Sequence, residues 1–367
     1  VYMLPRERRY FADPPGHPRM QVEYVPLGHS SPGRLLWLCR ELPRRLKETR
    51  TDILFSLANI GTLRPIVPQV VYIHQPLAFP RRGASKQGFL GATRFNFMRA
   101  LMVRGALESR SAIVQTYDMR SRLEDSEPRL CGRISVVPGC VSEVDSGEHV
   151  RPEKQKMIDH LTGPRLLYVA YPAKHKNHPA LVRAMPALIR QFPTATLLVT
   201  LDNQRAYSAA DHKYIAELQR LIGELGVGDR IAWLGILNQA EIRYALRQCT
   251  LAVFPSLDES FGLPLAEALV ERCALAASDL AYARDVAGTA AVYFDPLDPN
   301  SIASTLIDLI TRPELIERLK REAARRSPRF HPTTVVEQIA TLLEAATKES
   351  TYSQATWQSA PGVQDVS

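Results

Sequence analysis

Residues 165–201 read RLLYVAYPAKHKNHPALVRAMPALIRQFPTATLLVTL, and they contain one complete unit of architecture. A β-rich run, RLLYVAY, leads into a polar loop with two lysines. A stretch with apolar residues at helical spacing follows, starting near Pro179, and then a second β-rich run, ATLLVTL. This pattern predicts strand, helix, strand. Strands joined through a helix must lie parallel, because a parallel pair needs a crossover of a dozen or more residues.

The alternation continues downstream. RIAWLG, LAVFPS, CALAASD and AAVYFD read as strands, interleaved with the helical HKYIAELQRLIGELG, QAEIRYALRQC, LPLAEALVERC and SIASTLIDLITRPELIERLKREAARR. Such regularity predicts a Rossmann-like domain over 165–330, a parallel sheet with helices on both faces. Upstream, QVEYVPL, DILFSL, QVVYIH, AIVQT and ISVVPG, with the helical SPGRLLWLCRELPRRLKE and FLGATRFNFMRALMVRGALESR, predict a second α/β domain over 1–140. Residues 141–164 are polar and aperiodic and read as a linker, 331–347 as a closing helix, and 348–367 as a disordered tail. The expected fold class is α/β, two Rossmann-like domains facing a cleft.

Composition narrows the class. With 45% hydrophobic and 23% charged residues the chain is that of a globular protein. No apolar run approaches the roughly 18 residues of a membrane span, and VYMLPRERRYF lacks the apolar stretch of a signal peptide, so a cytoplasmic location is expected. Residues 1–150 hold 22 Lys and Arg against 14 Asp and Glu, whereas 151–367 hold 24 against 24, so the whole excess of +8 sits in the first part. That asymmetry suits an anionic partner such as a phospholipid surface, a lipid pyrophosphate or a nucleic acid, beside the plain reading of a solvated basic surface. Segment 89–110, with Phe95, Met98, Leu101 and Met102 among Arg94, Arg99 and Arg104, adds an expectation of weak peripheral contact with an anionic membrane face. A core-facing helix with basic outer residues explains the same pattern. The five cysteines are scattered and read as free, mostly buried thiols without metal-ligand spacing. Neither a G-x-G-x-x-G nor a G-K-[ST] loop occurs, which argues against a dehydrogenase or nucleotidase.

In an open parallel sheet, ligands bind beyond the carboxyl ends of the strands. Two stretches fall there. AYPAKHKNHPAL, residues 170–181, places Lys174 and Lys176 at a helix N-terminus, a seat for a diphosphate. PSLDESFGLPLAE, residues 255–267, places Glu259 in a loop and Glu267 about a turn into the next helix. Between them Gly262 allows close backbone approach, and the amides of Phe261, Gly262 and Leu263 can point at a ligand. Two such carboxylates suit a polyol, one for a sugar ring and one for a ribose diol. His175 and His178 lack a third ligand for a metal.

PSLDESFGLPLAEAL resembles the E-x7-E segment of the retaining GT-B glycosyltransferases of the "group 1" class. AYPAKHKNHPALVRA, SDLAYARDVAGTAAVYFDPLDPNSIA and RFHPTTVVEQIATLL resemble neighbouring segments of that family, and QVVYIHQPLAF, AIVQTYDMRSRL and ISVVPGCV its acceptor-domain segments, over residues 21–347 in all. The resemblance implies metal-independent, cofactor-free transfer of a sugar from a nucleotide-sugar donor to a lipid-linked or polysaccharide acceptor in cell-envelope assembly, without nucleic acid as a partner. It assigns Lys176, beside Lys174, to the donor diphosphate, Glu267 to the ribose, Glu259 with the backbone of Ser260, Phe261, Gly262 and Leu263 to the transferred sugar, and His74 to the acceptor side. Two departures stand out. An arginine expected five residues before the phosphate lysine is Tyr171, with Lys174 as the compensating cation, and nothing ahead of VYMLPRERRY resembles the family's first strand and glycine-rich loop. These departures keep two other readings open: a non-catalytic sugar-nucleotide-binding subunit, and a sugar-nucleotide epimerase of the same fold.

Overall fold

The computed structural model describes residues 2–5, 22–25, 33, 36–80, 89–142, 147–202 and 208–358. They fall into two compact units, one of residues 1–114, 122–135 and 339–367, the other of residues 115–121 and 136–338.

In the first unit, β1 (Tyr2–Pro5) pairs in parallel with β2 (Val22–Val25). A second sheet runs in the order β3 (Leu54–Ser56), β4 (Gln69–Tyr72), β5 (Ser111–Val114), β6 (Ile134–Val136). Both β3–β4 and β4–β5 pair in parallel. The helices are α1 (Leu42–Glu48), α2 (Phe89–Leu107) and α3 (Tyr117–Ser126), of which residues 117–121 cluster with the second unit. Strand β1 escapes the sequence reading because YMLP is too short to show alternation. The expected glycine-rich loop concerns the chain's beginning, where residues 6–21 and 26–32 lie outside those described. On α2, Met102 and Ala106 are buried while Phe97 is exposed. Among the described residues no helix is long and apolar enough to cross a membrane.

In the second unit six strands form one sheet: β7 (Arg165–Tyr168), β8 (Thr196–Val199), β9 (Ile231–Trp233), β10 (Leu251–Phe254), β11 (Leu275–Ser278) and β12 (Ala291–Phe294). The helices are α4 (Pro152–Asp159), α5 (His178–Gln191), α6 (Ala209–Glu224), α7 (Gln239–Gln248), α8 (Leu263–Val270), α9 (Ala281–Ala287), α10 (Pro299–Thr311) and α11 (Pro313–Arg326), followed by α12 (Pro332–Gln358), which belongs to the first unit from residue 339 onward. The apolar runs are continuous because both faces of the sheet are covered; every residue of β8, β10 and β11 is buried. The long helical run after residue 300 splits at Pro313, which has no N–H to continue α10 and forces Arg312 to φ −122°, ψ 79°.

Three expectations need correction. The linker 141–164 is not aperiodic throughout, because α4 forms within it and buries Ile158. The tail expected from residue 348 continues α12 as far as Gln358, since ESTYSQATWQ contains neither glycine nor proline to stop a helix already under way. Of the five free thiols only Cys273 is fully buried, while Cys39 and Cys131 are exposed.

The strand order β12-β11-β10-β7-β8-β9 has a functional consequence. Strands β7 and β10 begin the two halves of the sheet and lie side by side, pairing Leu251 with Leu166 and Ala252 with Leu167. From such a pair the chain departs toward opposite faces, which opens a crevice beyond the carboxyl ends, the place where ligands bind in doubly wound sheets.

Candidate active site

The loop after β7 ends in a short 3-10 turn, Lys174–Lys176, closed by Asn177 in the left-handed conformation at φ 58°. Asparagine tolerates that region because its short polar side chain can bond locally. Here it bonds further afield. Asn177 Nδ2 donates to the carbonyls of Pro255 at 3.1 Å and Pro296 at 2.8 Å, tying this loop to those following β10 and β12.

The loop after β10 reaches back. The Leu257 amide donates to the His175 carbonyl at 2.7 Å, and Ser256 Oγ lies 3.1 Å from the same oxygen. These bonds bring together Lys176 and Glu259, 83 residues apart in sequence: Lys176 Nζ lies 2.6 Å from Glu259 Oε1. Their side chains are only 8% and 13% exposed, so each charge depends on the other. Ser256 Oγ donates to the same carboxylate oxygen at 2.6 Å.

Tyr171, where an arginine was expected, takes part as well. Its ring lies 4.9 Å from Lys176 Nζ and its hydroxyl 3.2 Å from His175 Nε2. It supplies a quadrupole contact to the lysine rather than a second cation. Lys174 is exposed on the same turn. Burial, the larger cause, lowers the pKa of His175, and the Lys176 charge works in the same direction.

Beneath the loop, Tyr168 is fully buried and donates to the Lys176 carbonyl at 2.6 Å, holding the turn from below. Tyr168→Phe should cost about 1–3 kcal/mol, the penalty for leaving a buried acceptor unpaired. Chemical denaturation of the two proteins checks this; an unchanged midpoint would mean that the turn holds itself. His178 packs against the Tyr168 ring with centroids 4.7 Å apart and shares a 3.0 Å hydrogen bond between Nδ1 and the Tyr214 hydroxyl. Burial pushes its pKa down to about 3, with the Lys176 and His175 charges as lesser causes, so it is a neutral core residue.

Past Glu259, Ser260 is engaged through both its groups. Its hydroxyl donates to Gln115 Oε1 at 3.1 Å and its carbonyl accepts from Thr116 Oγ1 at 2.9 Å, both from a segment that clusters with the second unit. Phe261 is buried and meets the Phe330 ring edge-on at 5.8 Å, leaving only its backbone for a ligand. Gly262 sits at φ 83°, and a Cβ there would come within 3.1 Å of Leu265. It leads into α8 without a side-chain cap, and among the described residues no protein acceptor takes the amides of Phe261, Gly262 or Leu263. Three free N–H groups at a helix N-terminus present positive potential beside Lys176.

Glu267, one turn into α8, is 5% exposed. Burial raises its pKa, opposed by a hydrogen bond from Gln239 and the charge of Arg243 on α7 and reinforced by Glu271. His74 belongs to the first unit, at the carboxyl end of β4. Sequence reasoning missed Ser256, Tyr168 and Asn177. Asn177 was legible in the Lys-Asn pair, and Ser256 precedes Glu259 by three residues, but nothing local marks Tyr168. An open depression of about 870 Å³ along α4, lined by Pro152, Gln155, Lys156, Met157, Asp159 and His160, shares no residue with these loops.

Residues 150–326 match the family of glycosyl transferases group 1. The O-antigen chain mannosyltransferase RfbU of Salmonella typhimurium is 28% identical over 112 residues, 30% of this chain and 32% of that protein. A D-inositol 3-phosphate glycosyltransferase of Frankia alni is 28% identical over 222 residues, 59% of this chain and 54% of that protein. The chain thus matches about a third to a half of the length of these curated relatives. Among solved structures, Anabaena HepE in complex with UDP superposes with a TM-score of 0.70 at 17% identity, covering 88% of this chain and 86% of that one. Two α/β units with parallel sheets, the larger wound about the β7–β10 crossover, are the GT-B architecture, and residues 150–326 are the part of the chain that is similar to the group 1 glycosyl transferases.

Proposed function

We propose that this protein transfers a sugar from a nucleoside-diphosphate donor to a lipid-linked or glycan acceptor, with retention of configuration and without a metal. The observation that carries the reading is the buried Lys176–Glu259 pair at the crossover, flanked by the unpaired amides of 261–263. In the free protein each of the two charges neutralises the other. A donor diphosphate offers Lys176 a different anion and releases Glu259 to accept hydrogen bonds from sugar hydroxyls. As the glycosidic bond breaks, negative charge grows on the leaving phosphate. Lys176 and the amides are the groups assigned to that charge, and because the fold holds them before the donor arrives the stabilisation needs little reorganisation. Glu267 takes the ribose, and His74 serves the acceptor side. With the leaving diphosphate drawing the proton from the acceptor hydroxyl, attack on the face it vacates retains configuration.

A donor screen tests this. A donor at about 100 times its Kd stabilises by about 2.7 kcal/mol, worth about 2–4 °C per kcal/mol for a domain of this size. Among UDP-, GDP-, ADP- and dTDP-sugars, one nucleotide class is expected to raise Tm, and nucleoside diphosphate to be released only when a glycan acceptor is added. Binding without acceptor-dependent release would replace transfer with a sugar-nucleotide-binding role. A folded sample that no donor shifts would overturn the site assignment.

A further inference from the structure

His74 is held by one side chain at two points. Its backbone N–H donates to Asn59 Oδ1 at 2.6 Å, and the other end of that amide, Nδ2, lies 3.2 Å from His74 Nε2. The two ends cannot be exchanged. A backbone N–H only donates, so the atom opposite it must be the amide oxygen, which leaves the NH2 group facing the ring. An NH2 group only donates, so Nε2 must accept, and the single proton of the neutral imidazole is then on Nδ1.

The surroundings support a neutral ring. His74 sits at the surface of its unit yet is crowded enough that partial desolvation holds its pKa below the usual 6.5. Tyr72 packs against it with centroids 5.9 Å apart. Asn59 reaches both points because it adopts φ 64°, a left-handed conformation that asparagine accepts more readily than most residues. Ser56 Oγ closes the same turn by donating to the Ile60 carbonyl at 2.9 Å. Among the described residues no protein partner is recorded for His74 Nδ1.

We propose that Asn59 is a positioning residue that locks His74 in the Nδ1–H tautomer, so that His74 meets its ligand as a hydrogen-bond donor through Nδ1 and not as a base. The ligand atom it fits is an oxygen acceptor, a hydroxyl or ring oxygen of a sugar. The remaining lone pair of the ring, on Nε2, is taken by Asn59. The inference rests on the proposed transfer reading only for what His74 touches; the tautomer itself follows from the two bonds.

The test uses the full chain with 15N-labelled histidine, observed by NMR well above the pKa of the ring. Wild type is expected to show a protonated Nδ1 and an unprotonated Nε2. Asn59→Asp keeps the acceptor for the His74 amide and the tolerance of positive φ, but places an oxygen opposite Nε2. It should swap the tautomer without loss of fold and reduce transfer at least tenfold. Because an asparagine amide occupies roughly the place of Nδ1 and a glutamine amide that of Nε2, His74→Asn should retain measurable transfer and His74→Gln should lose it. An Nε2–H ring in wild type, or a tautomer unmoved by Asn59→Asp, overturns the proposal. Wild type with the expected tautomer but no turnover on any donor would leave the lock standing and remove the transfer reading.

Discussion

Lys176→Met is expected to reduce sugar transfer at least a hundredfold, the scale on which removal of one preorganised electrostatic group acts. It should also lower stability by about 3 kcal/mol. Methionine matches the length of lysine but not its charge, so the Glu259 carboxyl would lose its Lys176 partner in a site where its side chain is 13% exposed. Breaking a buried pair by removing one member costs about 3–5 kcal/mol, and the residual exposure of Glu259 points to the lower end. Adding Glu259→Gln removes the carboxyl left without its lysine. The double variant should therefore recover most of the stability while transferring no sugar. Urea denaturation of wild type, both single variants and the double variant closes the cycle. A coupling below about 0.5 kcal/mol would mean that the ion pair is solvated and worth no more than a surface pair.

Glu267→Gln is expected to move stability and donor binding in opposite directions. Burial raises the folded-state pKa of Glu267 above its unfolded value of about 4.5. Below that value both states are protonated and the residue makes no difference. As pH rises toward and through the raised folded value, the unfolded chain ionises freely while the folded chain resists, so wild-type stability falls over that window and stays lower above it. Glutamine has no such penalty and keeps a polar group beside Gln239 and Arg243. At neutral pH the variant should be more stable by on the order of 1 kcal/mol, the scale of one buried polar interaction, with the gain vanishing below about pH 4. Donor affinity should fall about tenfold or more through loss of one charge-assisted hydrogen bond. Thermal unfolding across pH with and without donor separates the two effects. A variant less stable than wild type at neutral pH would show that the Arg243 and Gln239 contacts outweigh the cost of burial. Carboxylates kept at such a cost are characteristic of sites where function opposes stability.

Much of the second unit was legible in the sequence. Its strands are continuous apolar runs because they are buried on both faces, and its helices carry an apolar stripe, so RLLY, LAVF and LAAS announced themselves. Strand β1 and helix α9 did not, being short and dominated by their tertiary setting. At the site, Lys176 and Glu259 were identified from their loops. Their 2.6 Å pairing was not, since it depends on which strands are neighbours. Tyr168 shows the general difficulty. In the sequence it is one more apolar residue of a strand, and only the fold gives its hydroxyl the Lys176 carbonyl as a partner. The Asn59–His74 lock is hidden for the same reason, joining residues 15 apart through a side chain at positive φ.

The crossover between β7 and β10 has a mechanical side. It is the seam along which the six-stranded sheet divides into two three-stranded halves. The Lys176–Glu259 pair, the bond from the Leu257 amide to the His175 carbonyl and the bond from Asn177 to Pro255 all cross that seam at one end. A molecule bound there would act as a rivet. By gripping both halves it would slow their separation, so amide exchange in β11 and β12 should slow along with exchange in β8 and β9, although none of these strands touches the bound molecule.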